Sequence, residues 1–497
     1  MILKKIGLNK TITLITIMLS FGLFAQNEEP LSLCDSLYLD RMHLQDSLIE
    51  IYGLSKETDS LNKFAFDRFY KNLDTTLNCT YPFIQFEKNN FQFQTPNSPT
   101  FEHLYFKLQQ MAKYKEGKLN VYHFGGSHIQ ADIYSNIFRE HLQSYWEDIP
   151  GERGWVFPFK MAKTNNPWNY AFSSSNTWQG YRSVIHRPDS VHYGVTGVAI
   201  ACADSIVDLA FNYSKSSLQP PINQVRIYHN KGELNYTIEF DSIKNPVISQ
   251  RTNPTLGYTD AYFAKAVVEF QVNFVRKLDT IRIDSLDVAS TKDFLPVDSV
   301  VYRTVKGEPL YIYGLYLGNR EPGISYNSIG VNGAGLYTYR DNENFQEQIA
   351  MHRPDLAIFS VGTNDANVPY DKFKPEEFKA NLEGIMKKLL ATNPNCAILL
   401  TVPNDAFYNK RYLNKNIARE REVMVELAKK YEIPVWDLYG LMGGLGSSKT
   451  WKNNKLMKAD LVHFTSDGYK LKGEILFDAW LKWLNQMELR GNYSLIK

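Results

Sequence analysis

The sequence predicts an α/β fold with a parallel sheet, interrupted by a second, all-β domain. After residue 322, short apolar runs alternate with long amphipathic helical patterns, which is typical of a parallel sheet covered by helices. A similar helix and strand lie at 98–153. Between the two stretches, at 154–321, apolar residues recur with a period of two, as they do in β-sandwiches. We therefore expect 98–153 and 322–497 to form one three-layer domain around an inserted domain.

The first 25 residues have the pattern of a cleavable secretion signal. Lys4, Lys5 and Lys10 precede an apolar run of about 15 residues that ends near Ala25. A membrane anchor is the alternative, but a helix that spans a bilayer needs roughly 20 apolar residues. We expect cleavage near Ala25 and a periplasmic or secreted protein without stable membrane insertion.

Length and composition exclude several classes of protein. With 497 residues, of which 44% are hydrophobic and 22% charged, the chain is too long for a single small binding module. Loss of the three N-terminal lysines leaves 52 basic against 53 acidic side chains, which disfavours nucleic acid as a partner. The sequence contains no phosphate loop or dinucleotide fingerprint.

The cysteines and histidines do not predict a metal site. Cys34, Cys79, Cys202 and Cys396 lack the paired spacing of zinc ligands, and the ten histidines show no ligand-like spacing. Export would permit a disulfide between Cys34 and Cys79, although spacing alone cannot assign connectivity. We expect neither a metal nor an organic cofactor.

The elements follow in order along the chain. Region 26–97, with a helical stretch at 35–51, is interpreted as an N-terminal extension. A helix follows Ser98 and leads into a strand at 119–124 and a second helical pattern at 129–146. Period-two segments in the insert lie at 224–228, 234–240, 266–270 and 310–316. Beyond it we expect strands at 324–331, 356–361, 397–402 and 433–438 and helices at 374–392, 409–431 and 466–487.

Ser127 lies at the turn between the first strand and the helical pattern that follows it. The local sequence is Gly125-Gly126-Ser127-His128. A helix N-terminus offers free backbone N–H groups that can stabilise an oxyanion, so this serine could be a nucleophile. The alternative is an ordinary N-cap serine after a glycine-rich turn.

Two further strands also end in residues suited to an oxyanion site. The strand at 356–361 leads to Asn364, whose amide could donate to an oxyanion or could simply cap a turn. The strand at 324–331 leads to Gly330 and Gly333, where a backbone N–H can approach a ligand without obstruction from a side chain.

Asp460 and His463 stand directly before the last helix. At this spacing the carboxylate can accept the Nδ1 proton of the imidazole, which leaves Nε2 free to act as a general base toward Ser127. The spacing also occurs at Asp40 with His43 and at Asp189 with His192, so it is weak evidence alone. The alternative is a buried, hydrogen-bonded loop histidine.

Together, these four blocks resemble the SGNH, or GDSL-type, hydrolase family, and the resemblance spans both parts of the α/β domain. It implies a three-layer, flavodoxin-like domain and an ester hydrolase. By this resemblance the nucleophile is Ser127, the acid and base are Asp460 and His463, and the oxyanion hole is formed by Ser127, Gly333 and Asn364. Gly330 remains an alternative to Gly333.

The sequence departs from the family pattern at one position. The first block usually reads Gly-Asp-Ser, whereas Gly126 occupies the place of the aspartate here. That aspartate is not the acid of the triad, so its absence leaves the proposed acid and base intact but could alter the rigidity of the loop.

The Gly-x-Ser-His block, the large β insert and the Gly330–Ala334 segment are further similar to those of peptidoglycan O-acetylesterases, whose insert is a jelly-roll, carbohydrate-binding-like domain. This resemblance implies an acetylated cell-envelope polysaccharide as substrate, and peptidoglycan is the one we expect. A polysaccharide O-acetyltransferase and a weakly catalytic glycan-binding protein remain alternatives. Four aromatic residues near the start of the insert could either stack on sugars or fill its core: Trp155, Trp168, Trp178 and Tyr181.

Overall fold

The computed structural model describes residues 80–146, 148–185, 187–216, 218–282, 300–304 and 307–495. The expected signal peptide, the helical stretch at 35–51 and the possible pair of Cys34 and Cys79 lie outside these residues. Cys202 and Cys396 are buried free thiols. Within the described part, no helix is both long enough and apolar enough to cross a membrane.

Two strands and three α-helices of the described region precede the insert. They are β1 (Phe91–Phe93), α1 (Pro99–Tyr114), β2 (Lys118–Gly125), α2 (Ser127–Gln130) and α3 (Tyr134–Ser144). The helix expected at 129–146 is therefore interrupted. The break occurs at Asp132, which has a positive φ of 46° and whose carboxylate accepts a hydrogen bond from Ser135 Oγ at 2.6 Å. A side chain that bonds to its neighbours in this way competes with continuation of the helix.

The insert consists of antiparallel strands. They are β3 (Gly154–Val156), β4 (Tyr170–Ser173), β5 (Gln179–Arg182), β6 (Val198–Cys202), β7 (Ile206–Tyr213), β8 (Ile222–His229), β9 (Tyr236–Phe240), β10 (Val247–Asn253), β11 (Tyr258–Val267), β12 (Glu269–Arg276), β13 (Leu278–Arg282), β14 (Val300–Thr304) and β15 (Leu310–Gly318). One sheet has the order β10-β11-β8-β15-β6-β5, with β3 also paired to β15, and a second has the order β4-β7-β12-β9. Phe240 and Phe263 contact each other across the two sheets, with ring centroids 5.2 Å apart. The predicted β-sandwich is thus present.

The chain then returns to the α/β domain. Its elements are β16 (Gly323–Gly330), α4 (Leu336–Arg340), α5 (Phe345–Met351), β17 (Leu356–Ser360), α6 (Pro375–Thr392), β18 (Ala397–Val402), β19 (Phe407–Tyr408), β20 (Tyr412–Leu413), α7 (Asn416–Tyr431), β21 (Pro434–Asp437), α8 (Leu438–Met442), α9 (Ser447–Asn453) and α10 (Ser466–Leu495). The four predicted strands agree with β16, β17, β18 and β21 to within one residue at each end. The helix expected at 409–431 begins later, at Asn416, because β19 and β20 form a short hairpin before it.

The main sheet has the order β1-β21-β18-β17-β2-β16, and all of its strands are parallel except β1. Residues 91–93, which the sequence placed in the N-terminal extension, therefore add an edge strand to this sheet. Buried side chains of α1, α3 and α10 pack on one face of the sheet, and those of α5, α6 and α7 on the other. The predicted α/β fold with a parallel sheet is confirmed.

The register of the sheet determines where the site is formed. In the central strand β2, Gly125 pairs with Gly330 at the end of β16 and with Ser360 at the end of β17. The loops that carry Ser127, Gly333 and Asn364 therefore leave the same edge of the sheet side by side. Carboxyl edges of parallel strands are where open α/β folds place their ligand sites.

Candidate active site

Ser127, His463 and Asp460 form a continuous hydrogen-bonded chain at this edge. Ser127 Oγ lies 2.8 Å from His463 Nε2, and His463 Nδ1 lies 2.8 Å from Asp460 Oδ2. Because a carboxylate can only accept, Nδ1 carries the proton, and Nε2 is left to accept from the serine hydroxyl. The arrangement can activate a serine hydroxyl as a nucleophile.

The loop between α9 and α10 holds Asp460 in its ionised form. Burial alone would raise the pKa of this carboxyl, but hydrogen bonds from the His463 backbone and side chain and from the Val462 backbone outweigh it, so the pKa is lowered. The two backbone N–H groups donate to Asp460 Oδ1 at 2.9 and 3.0 Å. Leu461, with a φ of 55°, makes the tight turn that brings them there. An ionised acid fixes the tautomer and orientation of the imidazole.

Possible oxyanion donors surround Ser127. Its own N–H begins α2, and the first N–H groups of a helix have no acceptor within that helix. Asn364 Nδ2 donates to Ala334 O at 2.9 Å, which leaves its second hydrogen available. Gly333 has a φ of 83°, and a Cβ placed on it would meet no atom within 4 Å. Ser127, Gly333 and Asn364 all line one cleft.

The two candidate glycines differ in their surroundings. A Cβ on Gly330 would lie 2.2 Å from the backbone nitrogen of Gln130, so Gly330 is required for close packing of α2 on β16. Gly333 instead faces the open cleft. The lining of the cleft includes Gly333 but not Gly330, which favours Gly333 as the backbone donor.

Gly126, which replaces the usual aspartate, lies against Asn364. A Cβ at position 126 would be 2.8 Å from Asn364 Nδ2, closer than nonbonded carbon and nitrogen atoms approach each other. The glycine therefore allows the amide to occupy its present position. In this chain, the unusual residue is consistent with the observed placement of Asn364.

The cleft has a volume of about 900 Å³ and is lined by both domains. The α/β domain supplies Ser127, Gly333, Asn364 and His463, together with Lys458 and Tyr469. The insert supplies a wall made of residues 165–168, Tyr170, Ala171, Ser214 and Lys215. The insert thus directly shapes the space in front of Ser127.

The aromatic cluster at the start of the insert divides between core and cleft. Trp155 and Trp178 are buried in the core, and Tyr181 packs against it. Trp168 is only partly buried and lines the cleft. Its backbone N–H donates to Ala131 O at 2.9 Å, which fixes this part of the insert against the loop after α2.

Sequence reasoning assigned no role to His128 and Tyr469. The rings of His128 and His463 have centroids 5.2 Å apart, and His128 Nδ1 lies 2.9 Å from Tyr469 Oη. Burial, followed by the nearby Lys472, lowers the pKa of His128 well below its usual value, so this ring is neutral. His128 directly follows Ser127, and this adjacency was the available sequence indication of its place in the site.

No group of three or more histidine, cysteine, aspartate or glutamate side chains in the described ranges could hold a metal ion. Asp365, next to Asn364, accepts a hydrogen bond from the Leu336 backbone at 3.1 Å and thus serves as a local cap. The expectation that no metal or cofactor is needed stays a prediction.

Comparison with known proteins agrees with this geometry. Residues 308–471 match the model of the GDSL-like lipase/acylhydrolase family. Over this part, about a third of its length, the chain is similar to GDSL-like acylhydrolases. The match contains Gly333, Asn364, Asp460 and His463 but begins after Ser127, which the insert separates from them in sequence. The family match supports assignment of this chain to the esterases.

The chain also resembles solved structures. A peptidoglycan O-acetylesterase superposes with a TM-score of 0.60 at 18% identity, over 78% of this chain and 97% of that one. A lipase/acylhydrolase from Enterococcus faecalis (TM-score 0.25, 19% identity, 34% and 77% coverage) and an acetyl xylan esterase, AlAXEase (0.26, 18%, 31% and 81%), match only about a third of this chain. No curated protein matches the sequence. The first of these similarities establishes that the two-domain fold is shared.

Proposed function

We propose that this protein is an exported serine esterase that removes O-acetyl groups from a cell-envelope polysaccharide, with peptidoglycan as its substrate. The observation that carries the proposal is the hydrogen-bonded chain from Ser127 through His463 to Asp460 in a cleft between two domains. The N-terminal pattern ending near Ala25 supports export. The shared fold with a peptidoglycan O-acetylesterase supports the substrate class.

The proposed reaction has two halves. In the first, His463 Nε2 takes the proton of Ser127, and Oγ attacks the acetyl carbonyl carbon. His463 then gives that proton to the departing sugar oxygen, which leaves an acetyl-Ser127 ester. In the second half, His463 removes a proton from water, hydroxide attacks the acetyl group, and the proton returns to Ser127 as acetate leaves.

Electrostatic stabilisation is assigned to three donors. The N–H groups of Ser127 and Gly333 and the side-chain amide of Asn364 would bind the oxyanion that forms in each half-reaction. Asp460 stays ionised and stabilises the imidazolium form of His463. These groups supply nucleophile, base and oxyanion binding, so we propose that no metal or organic cofactor takes part.

Acetate release from a panel of substrates tests the proposal. The panel comprises O-acetylated peptidoglycan, acetylated xylan and long-chain aryl esters, each with the parent protein and with Ser127→Ala. We expect the highest kcat/KM on peptidoglycan and loss of release in the variant. A preference for long acyl chains or for xylan would overturn the substrate assignment, and transfer of acetyl to added glycan instead of water would overturn the esterase assignment.

A further inference from the structure

The charged side chains that line the cleft are of one sign. Among the described residues of its lining, Lys215 and Lys458 are the lysines, His463 is the proposed base, and no aspartate or glutamate contributes. The protein as a whole is close to neutral, with 55 basic and 53 acidic side chains. The positive lining is therefore a local property of the cleft.

The two lysines come from different domains, and hydrogen bonds hold the chain at Lys458 and beside Lys215. Lys458 N–H donates to His463 O at 2.8 Å, and Lys458 O accepts from Leu461 N–H at 3.1 Å, within the loop that carries the acid and base. Lys215 directly follows Ser214, whose hydroxyl donates to Trp168 O at 2.8 Å. The cleft thus receives one lysine from the loop beside His463 and one from the wall formed by the insert.

Neither ammonium group has a partner among the residues that the structure describes. Both side chains are exposed, and neither forms an ion pair or hydrogen bond with another residue that the structure describes. Other lysines of this chain do have such partners, for example Lys107 with Asp355 at 2.6 Å. Two unpaired cations in a cleft without acidic side chains favour a ligand with negative charge.

We propose that Lys215 and Lys458 select acetylated glycans that carry a carboxylate close to the acetyl ester. The proposal rests on the function proposed above and specifies which feature of the substrate is recognised. A muramic acid unit that carries no stem peptide has such a group on its lactyl substituent, whereas acetylated xylose and N-acetylglucosamine units are neutral. Trp168, in the same wall as Lys215, offers an apolar surface for the sugar ring beside the charged group.

A pair of substrates that differ only in charge tests this proposal. The substrates are 6-O-acetyl-N-acetylmuramic acid and its lactyl amide, and the measured quantity is the ratio of their kcat/KM values at 25 mM and 200 mM NaCl. An exposed ion pair changes affinity by about threefold, so two should give the parent protein a ratio of about ten at low salt. Screening should lower that ratio at high salt.

Two double variants test whether Lys215 and Lys458 cause the preference for the charged substrate. Lys215→Met with Lys458→Met should bring the ratio to about one. A matched double variant, Lys265→Met with Lys452→Met, removes two exposed lysines outside the cleft and should keep the parent ratio. A parent ratio of one, or a ratio of ten that survives in the first double variant, would overturn the proposal. If neither substrate is hydrolysed, the proposed function fails and this inference fails with it; equal hydrolysis of both overturns the inference alone.

Discussion

The position of the Asn364 side chain depends on the absence of a side chain at Gly126. The amide of Asn364 occupies space that any side chain at position 126 would need, since a Cβ there would lie 2.8 Å from Nδ2. The same amide donates to Ala334 O, which fixes its orientation. The donor is thus held in place before any substrate binds, and a preorganised donor costs little reorganisation during the reaction.

The first prediction concerns Asn364. In Asn364→Ala, the loss of one oxyanion donor should lower kcat on an aryl acetate by roughly 10²–10³-fold with little change in KM, because the donor acts mainly on the transition state. Steady-state kinetics measure both constants. Asn395→Ala, at an exposed position, is the matched control and should behave as the parent. An unchanged kcat in Asn364→Ala would remove this residue from the oxyanion hole.

Several individual residues could be anticipated from sequence because each follows a strand or precedes a helix. Ser127, Asn364 and the Asp460–His463 block were found in this way, and the structure brings them together. The contribution of Lys215 could not be anticipated, because it depends on how the insert packs against the α/β domain. Gly333 could be separated from Gly330 only by the space around each.

At the scale of elements, α7 buries a carboxyl group beneath the loop that carries Asn364. Glu420 is 0% exposed, and neither of its oxygens has a hydrogen-bond partner among the described residues. Burial, with a smaller effect from Asp365, raises the pKa of Glu420 well above its usual value. Burial also raises the pKa of Asp365 to about 6. The folded protein therefore favours the protonated form of Glu420.

This buried carboxyl predicts a pH-dependent effect on stability. A raised pKa means that the folded state binds the proton more tightly than the unfolded state, so the free energy of unfolding falls as pH rises above the usual glutamate pKa toward the folded value. The side chain in Glu420→Gln cannot ionise, so the free energy of unfolding of this variant does not fall for this reason. Its free energy of unfolding relative to that of the parent should therefore increase between pH 5 and pH 8.

Urea denaturation at several pH values measures the effect. Glu422→Gln, an exposed residue on the same helix, is the control and should show no comparable trend. A difference between Glu420→Gln and the parent that is the same at pH 5 and pH 8 would contradict the assignment of a protonated Glu420.

The strands were predicted more accurately than the helices, for a physical reason. Buried strands such as β18 are continuous apolar runs with sharp ends, and the sequence located them to within a residue. Helix boundaries depended on tertiary contacts. Asp132 ends α2 because its carboxylate is held by Ser135, Ser328 and Arg153, two of which are distant in sequence. The edge strand β1 is too short to have a period of its own.

At the scale of the whole molecule, buried polar contacts join the two domains. Asp132 Oδ2, after α2, accepts a hydrogen bond at 2.9 Å from Asn169 of the insert and one at 2.8 Å from Arg153, the last residue before the insert, and all three residues are buried. A single apolar core also runs from one face of the main sheet into the insert. The insert is therefore packed as part of the hydrolase, and its wall of the cleft has a defined position relative to Ser127. The sequence indicated two domains but not the buried contacts between them.

The central proposal is that this two-domain protein uses Ser127 as its nucleophile. The most direct measurement is kcat/KM for hydrolysis of 4-nitrophenyl acetate by the purified parent protein and by Ser127→Ala. We predict a fall of about a thousandfold or more, because the alanine leaves the oxyanion donors in place but removes the atom that is acylated. Circular dichroism of both proteins would show that the variant is folded. Hydrolysis by folded Ser127→Ala at the rate of the parent would contradict the account.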